Sequence, residues 1–331
     1  MSGRPPFSAA LLDLDAEREV GRIGARLVEL FARTLRRRGA VVAVSGGIDS
    51  SVAAALAVRA VGPERVLALL LPERDSAAET RTLGQLIVAR LGVEAIEEDI
   101  TPILDAVGCY RRRDEAIRAV IPAYGPGWQC KIVLPAVTGS EALRLFSVVV
   151  RSPAGEEVEA RLPHHAYLGV VAASNFKQRV RKMLEYYHAD RLHYAVLGTP
   201  NRLEYDQGFF VKLGDGAADV KPIAHLYKSQ VYQLAAHLGV PEEIRRRPPT
   251  TDTYSMPQSQ EEFYFSLPYR EMDLCLYGRN HGYPPAEVAP AVGLAPAQVE
   301  QVYRDIDQKR STTRYQHLAP LLIEPVGEIG G

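Results

Sequence analysis

Three observations predict an α/β fold built on a doubly wound parallel sheet. First, apolar runs at 41–45, 66–72 and 193–199, with a further strand at 93–100, alternate with helix-patterned segments. Strands apolar throughout belong in a parallel sheet covered on both faces. Second, residues 101–192 are too many for one crossover helix, and part of them reads as short strands. Third, residues 257–326 read as largely helical. The expected architecture is therefore a parallel sheet with a small β insertion and a helical C-terminal appendage. A chain of 331 residues, 47% of them hydrophobic, can bury a large core in one or two domains.

Taken in order, residues 13–39 are charged and amphipathic, with Val20, Ile23, Leu27, Leu30 and Phe31 near helical spacing. A helix ending at Gly39 is predicted. Strand 41–45 and helix 49–61 follow, then strand 66–72, helix 77–91 and Gly92, and strand 93–100. KIVLP (131–135), LRLFSVVV (143–150) and EVEARLP (157–163) read as strands, with SPAGEE (152–157) as a hairpin turn. Residues 169–189 carry Val171, Phe176, Val180, Met183, Leu184 and Tyr187 at helical spacing. HYAVLGT (193–199) is the fourth sheet strand. A Gly- and Asp-rich loop (199–221) and a helix from Lys228 to Leu238 come next. His164-His165 falls on a presumed strand, where adjacent side chains point to opposite faces, so a surface pair is expected and not a metal site. Tyr124 and Trp128 are read as a packed loop.

Composition excludes several classes. Net charge is −1, the pI is about 6.7 and no long single-sign block occurs, so nucleic acid is not an expected partner. Arg36-Arg37-Arg38 and Arg245-Arg246-Arg247 are read as basic helix ends. Cys109, Cys130 and Cys275 are far apart and form no CxxC, as expected of reduced cysteines in a cytoplasmic protein. Residues 1–20 carry acids without a long apolar stretch, which argues against a signal peptide, and no apolar run reaches membrane-spanning length.

The chemistry concentrates in VVAVSGGIDSS (41–51). A buried strand, a tight Gly turn at Ser45-Gly46-Gly47 and a helix N-terminus follow in sequence. Backbone N–H groups, the hydroxyls of Ser50 and Ser51 and the positive end of a helix dipole suit a phosphate. The carboxylate of Asp49 suits such a site only if a divalent cation bridges the two. The Walker pattern GxxxxGK[ST] is absent. A second concentration, LGTPNRLEYDQGFFVKLGDGAADVKP (197–222), gathers Thr199, Asn201, Glu204, Asp206, Lys212, Asp215 and Asp219. It follows the carboxyl end of a sheet strand, where open α/β sheets bind ligands.

These residues carry a resemblance. SGGIDS resembles the PP-loop of the N-type ATP pyrophosphatases, and GTPNRLE, GFFVKLGDGAADVKPI, LYKSQVYQLAAHLGVP and RPPTTD resemble elements of the NAD synthetases, in the family's order. SNFKQRVRKM (174–183) is similar to their N-x-x-x-R-x-R-M helix, and PERDSAAET (72–80) to the segment after their second strand. QEEFYFSLPYREMD (260–273) fits the family loosely. The resemblance implies an adenine nucleotide alpha hydrolase-like fold. Residues 1–119 and 164–256 would form the PP-loop domain, interrupted by the insertion 120–163 and followed by 257–331. It also implies a Mg²⁺-dependent reaction in which the carboxylate of nicotinate adenine dinucleotide is adenylated by ATP and amidated by ammonia, giving NAD, AMP and pyrophosphate.

Carried over by position, the resemblance implies that Ser45, Gly46, Gly47, Asp49, Ser50 and Ser51 hold the pyrophosphate of ATP. Asp49 and Glu204 would ligate Mg²⁺, and Thr199 would lie near the adenine and the metal. Arg179 would contact ATP or the dinucleotide precursor. Lys212, Asp215, Lys228 and Thr250 would surround the phosphates and the activated carboxylate, with Asp215 a candidate to deprotonate ammonium. Asn175, Lys212, Asp219 and Glu262 would face the acyl substrate, and Lys309-Arg310 resembles an element that closes over the site. The family resembles homodimers with the dinucleotide precursor at the interface, and helix 169–189 and the C-terminal helices offer such a face. Some forty residues before the PP-loop leave no room for a glutaminase domain, so free ammonium is the expected nitrogen donor.

The insertion at 120–163 and the segment 250–278 depart from the family pattern, and Glu261-Glu262 matches the family's acidic pair only in type. The insertion is expected to wall the acyl-substrate side or extend a dimer contact, and to leave the ATP site alone. Amidation of another carboxylate by the same chemistry is the alternative. A nucleotide-binding regulatory protein is disfavoured by the joint presence of Asp49, Glu204, Lys212 and Lys228. A PP-loop tRNA thiolase is disfavoured by the missing CxxC and the near-neutral charge.

Overall fold

The computed structural model describes residues 4–134, 146–250, 253–259, 264–265 and 267–327. Helix α1 (Ala16–Glu29) starts where the Asp15 carboxylate accepts from the Arg18 N–H, and it buries Val20, Ile23 and Leu27. A π-type stretch, Leu30–Leu35, extends it to Arg36, which adopts a left-handed φ of 53°. The helix therefore stops short of the predicted Gly39. Gly39 is glycine for another reason: a Cβ there would lie 2.2 Å from the Arg65 carbonyl oxygen.

β1 (Ala40–Ala43), α2 (Ile48–Val61), β2 (Val66–Leu70), α3 (Ala78–Leu91) and β3 (Glu94–Glu97) then wind the sheet. Its order is β3-β2-β1-β7, with β7 at Ala195–Leu197, and every neighbouring pair is parallel. β1, β2 and β7 are buried apolar runs, as expected of strands covered on both faces. β3 differs from its prediction. Its sequence is Glu-Ala-Ile-Glu and its residues are mostly exposed, because it is the sheet edge.

After α4 (Thr101–Ala106) and α5 (Cys109–Arg118), the chain enters the insertion. β4 (Gln129–Val133), β5 (Ser147–Arg151) and β6 (Glu157–Arg161) form an antiparallel sheet, with the predicted turn closed by Ser152 N–H to Glu156 O. Its inner face (Cys130, Ile132, Val148, Val150) packs on Ile117 of α5 and on Tyr254. Tyr124 is buried edge-on to Trp128, as read from the sequence. β6 is largely exposed.

α6 spans His164–Leu192, so it begins five residues before its predicted start. His164 and His165 therefore sit in its first turn and not on a strand. α7 (Arg202–Gln207), α8 (Lys228–His237) and α9 (Glu242–Arg246) return along the sheet. α10 (Tyr269–Asn280), α11 (Pro285–Val292) and α12 (Pro296–His317) enclose a separate apolar core that takes in Leu12 and Leu203. Among the described residues, no helix is long and apolar enough to cross a membrane.

Candidate active site

The carboxyl edge of β1 delivers the chain into a turn at Ser45–Gly47. Gly46 has φ 68°, and a Cβ on it would lie 2.7–2.8 Å from Leu83, the Gly84 nitrogen and the Thr80 oxygen. No side chain fits there, so the turn draws α3 close beneath it. Gly47 is the N-cap of α2 and no side chain caps that helix, which leaves its first N–H groups directed at the cleft. Ser51 is buried, and its hydroxyl donates to the Gly47 carbonyl at 2.8 Å.

In the first turn of α2, Asp49 accepts from Asn201 Nδ2 at 3.1 Å and is paired with Lys228 Nζ. Lys228 is the first residue of α8 and is fully buried. Burial opposes its charge, but the carboxylates of Asp49 and Glu204 outweigh that and hold the ammonium above its ordinary range. Glu204 closes a capping box on α7: Asn201 Oδ1 accepts from the Glu204 N–H, and Glu204 Oε2 accepts from the Asn201 N–H at 3.0 Å. Burial, and then the neighbouring charge of Asp49, push the Glu204 carboxyl up to about 8. Asp215 accepts from the Val211 N–H at 2.8 Å, and burial raises its pKa as well.

These groups open on one cleft of about 620 Å³. Of the residues singled out from the sequence, Ser45, Gly47, Asp49, Ser50, Thr199, Glu204, Asp215, Lys228 and Thr250 line it. Gly46 and Ser51 shape its turn from behind. Four others lie elsewhere. Lys212 Nζ donates to the carbonyls of Tyr315 and Leu318, at 3.0 Å each. Arg179 is exposed, with Nε 3.3 Å from the Lys212 carbonyl. Asp219 accepts from the Val196 N–H at 2.7 Å, and Asn175 lies on α6 outside the cleft. Glu262, like Glu261, falls outside the described residues. Lys309 is buried against Asp305 and the Tyr264 carbonyl, while Arg310 grips Asp206 of α7 with two bonds of 2.6 Å. Both brace α12 outside the cleft.

The sequence reading missed Gln178, Arg181, Lys182 and Glu185, which also line the cleft. They stand at i, i+3, i+4 and i+7, one face of α6. That polar stripe is present in the sequence, interleaved with the apolar stripe of the same helix. Lys182 and Glu185 form a buried pair at 2.7 Å. Arg247, read as a helix end, lines the cleft too and donates to Thr80 Oγ1 at 3.2 Å.

A strand, a glycine turn and an uncapped helix with a carboxylate in its first turn, all at the carboxyl edge of a parallel sheet, define a PP-loop ATP-using enzyme. The NAD synthase family model matches residues 26–119 and 155–317, which leaves most of the insertion unmatched. An NH(3)-dependent NAD(+) synthetase of Rhizobium meliloti (strain 1021) is 61% identical over 323 residues, 98% of this chain and 96% of that one. The chain belongs to the NAD synthase family and is an ATP-dependent amide-forming ligase. Two solved structures share its fold at 22% identity. NMN synthetase from Francisella tularensis has a TM-score of 0.65, covering 94% of this chain and 99% of that one. NH3-dependent NAD synthetase from Campylobacter jejuni has a TM-score of 0.61, with 94% and 100% covered.

Proposed function

We propose that this chain adenylates the carboxylate of nicotinate adenine dinucleotide with Mg-ATP and amidates it with ammonia, releasing NAD, AMP and pyrophosphate. The convergence of the α2 N-terminus, Asp49, Glu204 and Lys228 on one cleft carries this reading, and the near full-length similarity to the Rhizobium meliloti enzyme supports the substrate. In the first half-reaction a carboxylate oxygen attacks the α-phosphorus and pyrophosphate leaves. The N–H groups of α2, with Ser45 and Ser50, bind the phosphates, and Lys228 offsets the charge that gathers there. In the second, ammonia attacks the acyl carbon and AMP departs. The buried carboxylate of Asp215 takes the proton from ammonium.

The donor set fits Mg²⁺. Among the described residues no cluster of three His, Cys, Asp or Glu forms a cage. Two carboxylates, Asp49 and Glu204, face the phosphate turn, and Mg²⁺ is held by one or two carboxylates together with nucleotide phosphates. Bound there, the cation neutralises phosphate charge.

With its carboxylate in the cleft, the rest of the dinucleotide precursor extends onto an adjoining face of α6. Asn175, Arg179, Met183 and Tyr187 follow one another at i+4 along α6, and Met183 and Tyr187 are 55% and 60% exposed. That stripe, with Lys212 beside Arg179, is the face on which a second subunit and the acyl substrate are placed in this reading. The test is direct. Purified protein with ATP, Mg²⁺, nicotinate adenine dinucleotide and ammonium is expected to form NAD and AMP in equal amounts. AMP formation with another carboxylate and none with this one would assign the same chemistry to a different acyl substrate. No ATP cleavage with any carboxylate would overturn the reading.

A further inference from the structure

Lys177 lies on α6, one turn before Arg181, and does not line the cleft. Its side chain is 1% exposed. Its ammonium donates to Glu73 Oε1, to Asp75 Oδ2 and to the Thr253 carbonyl, each at 2.8 Å. All three donors of a lysine are thereby used. The acceptors belong to two segments far apart in sequence, and residues near each of them line the cleft. Pro72, Glu73 and Ser76 line it on one side, and Pro248, Pro249 and Thr250 on the other.

The surroundings fix each acceptor. The Tyr110 hydroxyl donates to Glu73 Oε2 at 2.7 Å, and Arg113 Nη1 donates to Asp75 Oδ2 at 2.5 Å. Glu73 Oε2 also accepts from the Asp75 N–H, and Ser76 Oγ from the Glu73 N–H, which ties the loop to itself. Two carboxylates thus meet two cations in a buried, locally neutral cluster. The second segment is held at its far end by the insertion: Cys130 N–H donates to Ser255 Oγ at 2.9 Å, Met256 N–H to the Cys130 carbonyl at 3.1 Å, and Gln258 Nε2 to the Ile132 carbonyl. The insertion is thus bonded to Ser255, Met256 and Gln258, none of which lines the cleft.

A methionine would fill the same space, and buried ion pairs stabilise no better than well-packed apolar residues. What an ammonium adds is direction: three fixed vectors that set the distance between two loops. We propose that Lys177 is a positioning residue for ATP, locking the 72–77 loop to Thr253, three residues on from Thr250 of the cleft wall, with the insertion clamping residues 255–258 beyond it. The inference rests on the cleft being the ATP site.

The test uses the full-length Glu73→Gln/Lys177→Gln double variant, which keeps the cluster neutral but shortens the link, and Gln258→Ala, which removes one of the clamp's bonds without changing charge. Folding is verified by circular dichroism and Tm, and Mg-ATP binding is measured by calorimetry beside the natural chain. At least fivefold weaker binding is expected of each folded variant, with KM for ATP raised and KM for ammonium unchanged. A smaller change in the folded double variant overturns the proposal, as does a fall in kcat with KM for ATP unmoved. Where only Gln258→Ala folds, the same threshold applies to it. Failure of the underlying reading shows separately, in a natural chain that does not bind Mg-ATP.

Discussion

Asp49 is held from two directions, by Lys228 and by Asn201, and Glu204 is pinned by the cap it makes on α7. Neither carboxylate can swing away, so each holds its oxygens at a fixed point of the phosphate turn. Asp49→Asn and Glu204→Gln keep the shape of each side chain and remove its capacity to carry a negative charge. Each is expected to lower kcat by about 10²–10³, the usual effect of deleting one preorganised electrostatic group. Steady-state assay of AMP release checks this, and near-normal turnover in either variant would remove that residue from the site. At this scale the sequence was most legible where function forces an unusual local pattern. SGGxDS announces itself because glycine turns, hydroxyls and a carboxylate rarely follow a buried strand together. Arg181 went unmarked beside Arg179 for the opposite reason. On a helix the residue two positions on, Arg181, points more than half a turn away, and only the structure shows which of the two faces the cleft.

Helix α8 begins at the buried Lys228, and its N-terminus is capped from another element. Asp273 of α10 accepts from the N–H groups of Lys228 at 3.2 Å and Ser229 at 2.7 Å. Burial dominates those bonds and pushes the Asp273 carboxyl up to about 6. The folded state therefore holds a proton here more tightly than the unfolded chain, and stability from this group falls as pH rises from about 4 to 6. Asp273→Asn keeps an oxygen acceptor and loses the titration. Its stability relative to the natural chain is expected to improve as pH goes from 4 to 7, by roughly 1–3 kcal/mol at most, and its Tm to rise correspondingly. Parallel melting curves that keep a constant gap across that range would contradict the assignment. Element types were largely legible, because apolar runs and helical periodicity reflect burial. Boundaries were less so. α6 begins early because Pro163 and two histidines make an acceptable first turn, a start with no N-capping side chain to mark it in the sequence.

For the whole molecule, the exposed apolar positions on α6 and the placement of Asn175 and Arg179 beside them favour a two-fold assembly through that face. Light scattering is expected to give twice the 36.4 kDa of one chain. Met183→Glu with Tyr187→Glu is expected to give single chains with raised KM for the acyl substrate. An active natural chain that stays at 36.4 kDa at micromolar concentration would refute the assembly. The joining of the insertion to residues 255–258 was not legible, because hydrogen bonds between segments some 125 residues apart leave no trace in local pattern.

The 29 residues of α6 run about 43 Å. Near one end Ala166 and Val170 belong to the core of the insertion; near the other Val180 and Ala189 belong to the core beside the parallel sheet. A single helix shared between two cores couples their stability. The insertion is thus expected to belong to the principal cooperative unit, not to melt by itself. Calorimetry is expected to show one transition taking both sheets together. Hydrogen exchange is expected to find the amides of Val148 and Val150 protected to the same free energy as those of β1. An earlier transition confined to the insertion, or fast exchange in β5, would show that the shared helix does not couple them.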